Sequence, residues 1–443
     1  MAFLQVTSTN PNFSFLLKKN PASGLIAKEL RKGVLFGYYS KDGQTFNVYF
    51  RDAFNDISYP EYKDQEFEYV NATRYSSAQF ILNTLAELMR DAFKKRNVEL
   101  DPDAEYETTI LMNMIHLDHR RTLTSFVRHF SDTCQIVADE VTPKYYKITI
   151  TTKRSLCYLL NLTNLFAAFT VIRNKSEYLF IDETTVEKYF SSLAVIDPPY
   201  FIRYHFKTEL LRSMRLFEQY KSMLETSDHY PISMYPGDTV EMRKTAIEEN
   251  LKFSNHIVDV GCGEGRYVWA FAKRLLKGKT YYAIDTNEDC RNTVEKKVKL
   301  KELTNVRVLP SINTLVDIHK LNLERVDFIL GEVIEHMPVD DAEQLVIKCL
   351  SLGCMNSLII TTPNADFNKF YFDDKEVRHP DHHFEFSKES FIEWVYNIRE
   401  YFRTVMLMPA GLTINDLEVK FLDIGDKVDG IPVTVGAIFS RRT

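Results

Sequence analysis

A chain of 443 residues is longer than one hydrophobic core usually fills, which predicts two or three domains. Its 45% hydrophobic and 26% charged residues are the balance of a soluble globular protein and exclude a disordered or collagen-like chain. The formal net charge of -6 excludes nucleic-acid binding through overall basicity, so an RNA partner would have to be held by a local patch.

The opening stretch MAFLQVTSTNPNF has neither the basic segment nor the apolar run of a secretory signal. Six cysteines, at 134, 157, 262, 290, 349 and 354, form no C-x-x-C pair and no regular spacing. Both observations point to a reducing, cytoplasmic protein. Further on, TFNVYFRDA (45–53) reads as a strand, and SSAQFILNTLAELMRDAFKKR (76–96) reads as one helix. That helix has Ser76 or Ser77 as its N-cap, an apolar stripe at Ile81, Leu85, Leu88 and Ala92, and basic residues in its last turn. The most apolar window, LCYLLNLTNLFAAFTVI (156–172), is shorter than a typical ~20-residue membrane span and is interrupted by Asn161 and Asn164, which predicts a buried helix and no membrane association. The first 225 residues offer no triad, no phosphate loop and no metal spacing. Histidines such as His116 and His119 read there as surface or packing residues.

Prolines, a glycine and turn residues gather in LETSDHYPISMYPGD, from Leu224 to Asp238, and mark a domain boundary. The expected division is a mixed α+β region over 1–225 and a second domain over 226–443. In the second, apolar runs at 256–260, 280–284, 305–309, 326–330 and 357–361 alternate with helix-like segments, the pattern of a parallel, doubly wound, Rossmann-like α/β sheet.

Directly after the first of these runs, VDVGCGEGR places Gly261, Gly263 and Gly265 where the backbone can turn sharply and approach a ligand without a Cβ in the way. Position 266 is arginine, so the dinucleotide pattern G-x-G-x-x-G is absent; G-x-G-x-G behind Asp259 is the pattern associated with S-adenosylmethionine. Asp285, at the end of the next run, can accept the ribose hydroxyls of an adenosine. Loop, acid and alternating pattern together predict a methyltransferase domain.

The stretch GEVIEHM (331–337) follows the fourth run and ends it in three metal-binding groups, Glu332, Glu335 and His336. Ligands of open parallel sheets bind beyond the carboxyl ends of the strands, so Glu332 faces the site. In a helix the three side chains would share one face, at i, i+3 and i+4. Pro338 is awkward inside such a helix, which predicts a tight first turn and a main helix from about Asp340. A second cluster, RHPDHHFEFSKESF, follows the fifth run, and one of His379, His382 and His383 could complete a metal site.

VDVGCGEG, EVIEHM, and TTPNADFN followed by RHPDHHFEF closely resemble the blocks of the RNA 3′-terminal 2′-O-methyltransferases, which have a D-H-x-F-E-aromatic pattern in the last. That family caps small RNAs in eukaryotes and takes part in RNA repair in bacteria. The resemblance implies metal ligands at Glu332, Glu335, His336 and His382, with His379 and His383 left aside. TSTNPNFSFLLKKNP, VNATRYSSAQF and RSLCYLLNLTNL resemble, more loosely, the bacterial branch. Its members work beside a polynucleotide kinase-phosphatase-ligase, which implies that the amino-terminal region docks on or activates that ligase. The substrate implied is the RNA 3′ end.

Four such ligands leave two octahedral places, which the 2′ and 3′ hydroxyls of a terminal ribose would fill, and the cation would make the 2′ oxygen nucleophilic near neutral pH. Two imidazoles favour Mn²⁺ over Mg²⁺, although cellular abundance could load Mg²⁺; Zn²⁺ fits less well. Two other readings remain. One is a small-molecule methyltransferase with a side-chain base. The other is a non-catalytic scaffold that activates an RNA ligase.

Overall fold

A computed structural model of the chain describes residues 3–30, 33–52, 76–174, 183–319, 324–371, 377–404 and 417–441. Residue 53 of the expected strand and residues 70–75 of the block VNATRYSSAQF lie outside them. The chain divides into two compact units, Met1–Asp228 and His229–Thr443.

In the first unit an antiparallel sheet is built from β1 (Phe3–Ser8), β2 (Ile26–Leu30), β3 (Gly33–Tyr39), β4 (Thr45–Asp52), β5 (Thr108–His116), β6 (Gln135–Thr142) and β7 (Tyr145–Thr152), in the order β2-β3-β4-β1-β5-β7-β6. Along β7 every second residue, Tyr146, Ile148, Ile150 and Thr152, is buried, as a strand with one covered face requires. The apolar window forms the helix Leu156–Arg173, N-capped by Ser155, whose Oγ accepts from Tyr158 N at 3.3 Å. Its length and hydropathy would fit a membrane span, yet 83% of it is buried within the protein. The two asparagines expected to interrupt it are accommodated by hydrogen bonds: Asn161 donates to Phe93 O, and Ser192 Oγ bonds to both Asn161 and Asn164.

The helix expected over 76–96 is two. Gln79–Leu88 and Arg90–Lys94 meet at Met89, which is fully buried and has left helical geometry (φ −117°). Ser77 does not cap the helix in the expected way: its Oγ accepts from Gln79 N at 3.2 Å, and the N-cap position is Ala78. Packing of Met89 overrides a local sequence that favours continuous helix. His116 is buried against the Tyr145 ring and His119 is exposed.

In the second unit β9 (His256–Val260), β10 (Tyr281–Ile284), β11 (Val306–Leu309), β12 (Val326–Gly331) and β13 (Met355–Pro363) pair in parallel, in the order β11-β10-β9-β12-β13. Both faces are apolar. Val258, Tyr282, Phe328 and Leu330 pack into one cluster with the helices Val339–Ser351 and Lys388–Thr404. Ile257, Tyr281, Ala283 and Ile329 pack into the other with Val268, Phe271 and Val294. Near-continuous apolar runs are what a sheet covered on both faces demands. Asp327, in β12, is fully buried and accepts from Asn356 Nδ2, Ser357 Oγ and Asn255 Nδ2 at 2.6, 2.7 and 3.0 Å.

The parallel, doubly wound sheet expected from the sequence is present and carries an antiparallel addition at one edge. β14 (Leu417–Val428) and β15 (Ile431–Arg441) form an antiparallel hairpin that joins the sheet through β15 beside β13, and the short β8 (Ile232–Ser233) closes the far edge. The hairpin turns on Asp429 and Gly430, at φ 53° and 74°, the left-handed geometry of a two-residue turn for which Asp-Gly is a strong signal. Strand order reverses at β9, between β10 and β12, so the crevice for a ligand lies beyond the carboxyl ends of β9 and β12.

Candidate metal and cofactor site

The glycine loop leaves β9 with Gly261, Gly263 and Gly265 at φ 74°, 53° and 80°. A Cβ on Gly261 would stand 2.6 Å from Val333 Cγ2, and one on Gly265 would stand 3.0 Å from Trp269 and Val294. Both glycines are therefore needed by the fold itself. Gly263 differs: a Cβ there would meet nothing within 4 Å, so this is the residue at which the loop presents bare backbone to open space. Its N–H donates to Asp285 Oδ2 at 2.8 Å, and Asn287 N donates to Asp285 Oδ1 at 2.8 Å. Asp285 thus stands at the end of β10 against the loop. Asp259 sits one layer below: it is 1% exposed, accepts from the Tyr281 hydroxyl at 2.7 Å, and its carboxyl is pushed up to about 7 by burial. It faces the sheet interior and anchors the strand from which the loop departs.

The expected shared helix face over 332–336 does not form. Ile334–His336 is a single 3-10 turn, and the helix Val339–Ser351 starts only after Pro338, which cannot continue the turn with a backbone hydrogen bond. Glu332 lies before the turn in a left-handed conformation (φ 59°), its N–H donating to Thr361 O at 2.9 Å. Glu332 stands outside the group formed by Glu335, His336 and His382, though near enough for its charge to act on Glu335. Glu332 Oε2 pairs with Arg243 Nη1 at 2.9 Å, and Oε1 accepts from Thr361 Oγ1 at 3.3 Å. Arg243 comes from the helix Thr239–Glu248, which no sequence pattern pointed to as part of the site. Burial alone would lower the Arg243 pKa, but the charge of Glu332, then Tyr267 and Glu335, together raise it above the usual arginine value.

Glu335, His336 and His382 do converge, offering ligand atoms that all lie within 4.8 Å of one another. The two imidazoles meet edge to face, with ring centroids 4.8 Å apart. Glu335 is fully buried. Its Oε2 accepts from Thr362 Oγ1 at 3.1 Å, while Oε1 has no hydrogen-bond partner. Burial, and next the charge of Glu332, hold its carboxyl well above the usual carboxylate range. A buried oxygen without a partner beside two imidazoles fits a cation that would occupy the remaining coordination direction.

Each imidazole is oriented from behind. His382 Nδ1 lies 2.6 Å from Glu385 Oε1, whose side chain is fully buried and which also accepts from Arg378 N and Asn368 Nδ2. A proton on Nδ1 for that bond leaves the Nε2 lone pair free to ligate. His336 Nδ1 stands 3.2 Å from Asp381 Oδ2, and the exposed His379 pairs with the other oxygen of Asp381. His383 is exposed, and its backbone N–H ties the loop to Glu335 O at 2.8 Å. Glu385 stands inside the motif RHPDHHFEF and could have been assigned from it. Thr361 and Thr362 open the block TTPNADFN without having been assigned a role there, and Arg243 carried no sequence signal.

The chain is similar to known proteins over both units. Residues 3–229, just over half of the chain, match the family described as the Hen1 N-terminal domain, and residues 257–352 match a methyltransferase domain. The small RNA 2′-O-methyltransferase of Gallus gallus is 28% identical over 155 residues, 32% of this chain and 40% of that protein. That of Mus musculus is 29% identical over 174 residues, 35% and 42% of the two. The chain thus spans less than half the length of these curated relatives. A solved chain in the structure described as the Pnkp1/Rnl/Hen1 RNA repair complex is 26% identical, with a TM-score of 0.79 over 99% of this chain and 100% of that one.

Proposed function

This chain belongs to the family that carries the Hen1 N-terminal domain, and we propose that it transfers a methyl group from S-adenosylmethionine to the 2′-hydroxyl of the 3′-terminal ribose of RNA. The observation that carries this reading is the convergence of Glu335, His336 and His382 beyond β12, one strand from the glycine loop after β9. Cofactor loop and metal-binding group thus border the same crevice.

On this reading Gly261, Gly263 and Gly265 shape the cofactor loop, Asp285 accepts the ribose hydroxyls of the cofactor, and Asp259 holds the strand beneath them. Glu335, His336 and His382, joined by Glu332, would hold Mn²⁺ or Mg²⁺. When bound, the cation supplies a Lewis acid that makes a ribose hydroxyl a better nucleophile. The chain's own residues orient and exclude. Glu385 fixes the tautomer and plane of His382, Thr362 fixes Glu335, and Val333 and Ile334 beside the acids are buried in the apolar cluster of the sheet.

The amino-terminal unit is read as the module that docks on or activates a bacterial polynucleotide kinase-phosphatase-ligase. Support comes from the likeness, over nearly the whole chain, to the Hen1-complex structure. Among the described residues the six cysteines are free, in keeping with a reducing, cytoplasmic setting. The test is transfer of labelled methyl from S-adenosylmethionine to a short RNA, with and without Mn²⁺. Transfer is expected only with the metal and only to an RNA whose terminal 2′-hydroxyl is intact. Equal transfer to a 2′-deoxy end would end this reading.

A further inference from the structure

Arg243 is the strongest feature of the crevice that the proposed chemistry does not use. Its side chain is only 13% exposed, it lies 2.9 Å from Glu332, and its Nε is buried without a hydrogen-bond partner. Tyr267 shares the same guanidinium and lies against Gly331 at the end of β12, where a Cβ would stand 3.0 Å from its ring. Both Glu332 oxygens are engaged, one by Arg243 and one by Thr361, and its carboxylate stands outside the group formed by Glu335, His336 and His382.

A guanidinium and a divalent cation make the same demand on a carboxylate, and in a crevice shielded from solvent both cannot be satisfied by one Glu332 oxygen without mutual repulsion. We propose that Arg243 and the cation compete for Glu332: Arg243 is a positioning residue that draws the carboxylate away from the ligand group and so sets how tightly the site holds its metal. Uptake of the metal exchanges Glu332 from the guanidinium to the cation, with Arg243 retained by Tyr267. The competition rests on the metal reading above.

The test is Mn²⁺ affinity of the full-length chain, measured by calorimetry and by electron paramagnetic resonance of free Mn²⁺. R243Q is expected to bind Mn²⁺ roughly tenfold more tightly, the scale on which outer-shell partners act on bound metals. In an E332Q background that gain should vanish, because the contested carboxylate is gone. R243K, whose compact charge cannot hold Glu332 and Tyr267 together, should show a smaller gain of the same sign, and it decides the matter alone if R243Q does not fold. Unchanged or weaker Mn²⁺ binding in a folded Arg243 variant overturns the competition while leaving the metal site standing. An equal gain in E332Q also overturns it, since general charge would then be the cause. No Mn²⁺ uptake by the wild-type chain removes the metal reading and the competition together.

Discussion

Glu385 touches no proposed substrate, yet it accepts from His382, Arg378 and Asn368 at once, so the orientation of one imidazole depends on it. Glu385→Gln should lower metal affinity by about 10–100-fold while cofactor binding holds, because the glycine loop shares none of these bonds. Calorimetric titration of each ligand separately checks this. At the other end of the crevice, Asp285→Ala should weaken S-adenosylmethionine binding, and so should a bulky residue at Gly263, the open side of the loop. Unchanged affinity in both would remove the cofactor assignment. Asp259 gives a test by pH. Its folded carboxyl is raised to about 7, against an ordinary value near 4, so the folded state holds the proton more tightly than the unfolded one. Stability should therefore be highest below pH ~4 for this group, fall as pH rises toward 7, and level off above it. Asp259→Asn should flatten that slope in urea midpoints taken at pH 5 and pH 8, since its amide oxygen can still accept from Tyr281.

Elements whose residues follow one another were legible in the sequence, and those made by distant segments were not. The five parallel strands showed themselves as apolar runs because both faces of their sheet are covered, so that nothing polar has to alternate along them. Glu335 and His336 could be read from one motif, and His382 from another through the family resemblance. Glu332 belongs to the same motif but takes its partner, Arg243, from a helix ahead of the first parallel strand, and no local pattern encodes that pairing. The break at Met89 was hidden for the same reason, being a matter of packing. The β14–β15 hairpin was not read from the sequence, although its Asp429-Gly430 turn, between the alternating strand Leu417–Val428 and the apolar strand Ile431–Arg441, is a local signal. Gly430→Ala isolates the backbone contribution there: a Cβ would meet nothing within 4 Å, so only the left-handed φ of 74° is penalised, by about 1–2 kcal/mol. Gly261→Ala adds a 2.6 Å approach to Val333 and should cost clearly more in denaturant titration.

At the scale of the whole molecule, the residues proposed for cofactor, metal and Glu332 competition, from Arg243 to His382, all lie in the unit His229–Thr443. That unit has an apolar cluster on each face of its sheet, built from its own residues. Its first residues are tied into it: Tyr235 N donates to Asp426 Oδ1 at 2.8 Å, Asp429 N donates to Pro231 O at 2.8 Å, and β8 pairs with β14. A cut after residue 225 spares all three ties. The fragment 226–443 is therefore expected to fold, to bind S-adenosylmethionine and Mn²⁺ as the full chain does, and to keep the proposed Mn²⁺-dependent methyl transfer to RNA. It should lose association with the repair ligase, which pull-down by the full chain and by the fragment would compare. A folded fragment that binds both ligands but transfers no methyl group would mean that residues 1–225 complete the substrate side of the site. A fragment that still captures the ligase would move the docking surface onto the methyltransferase unit.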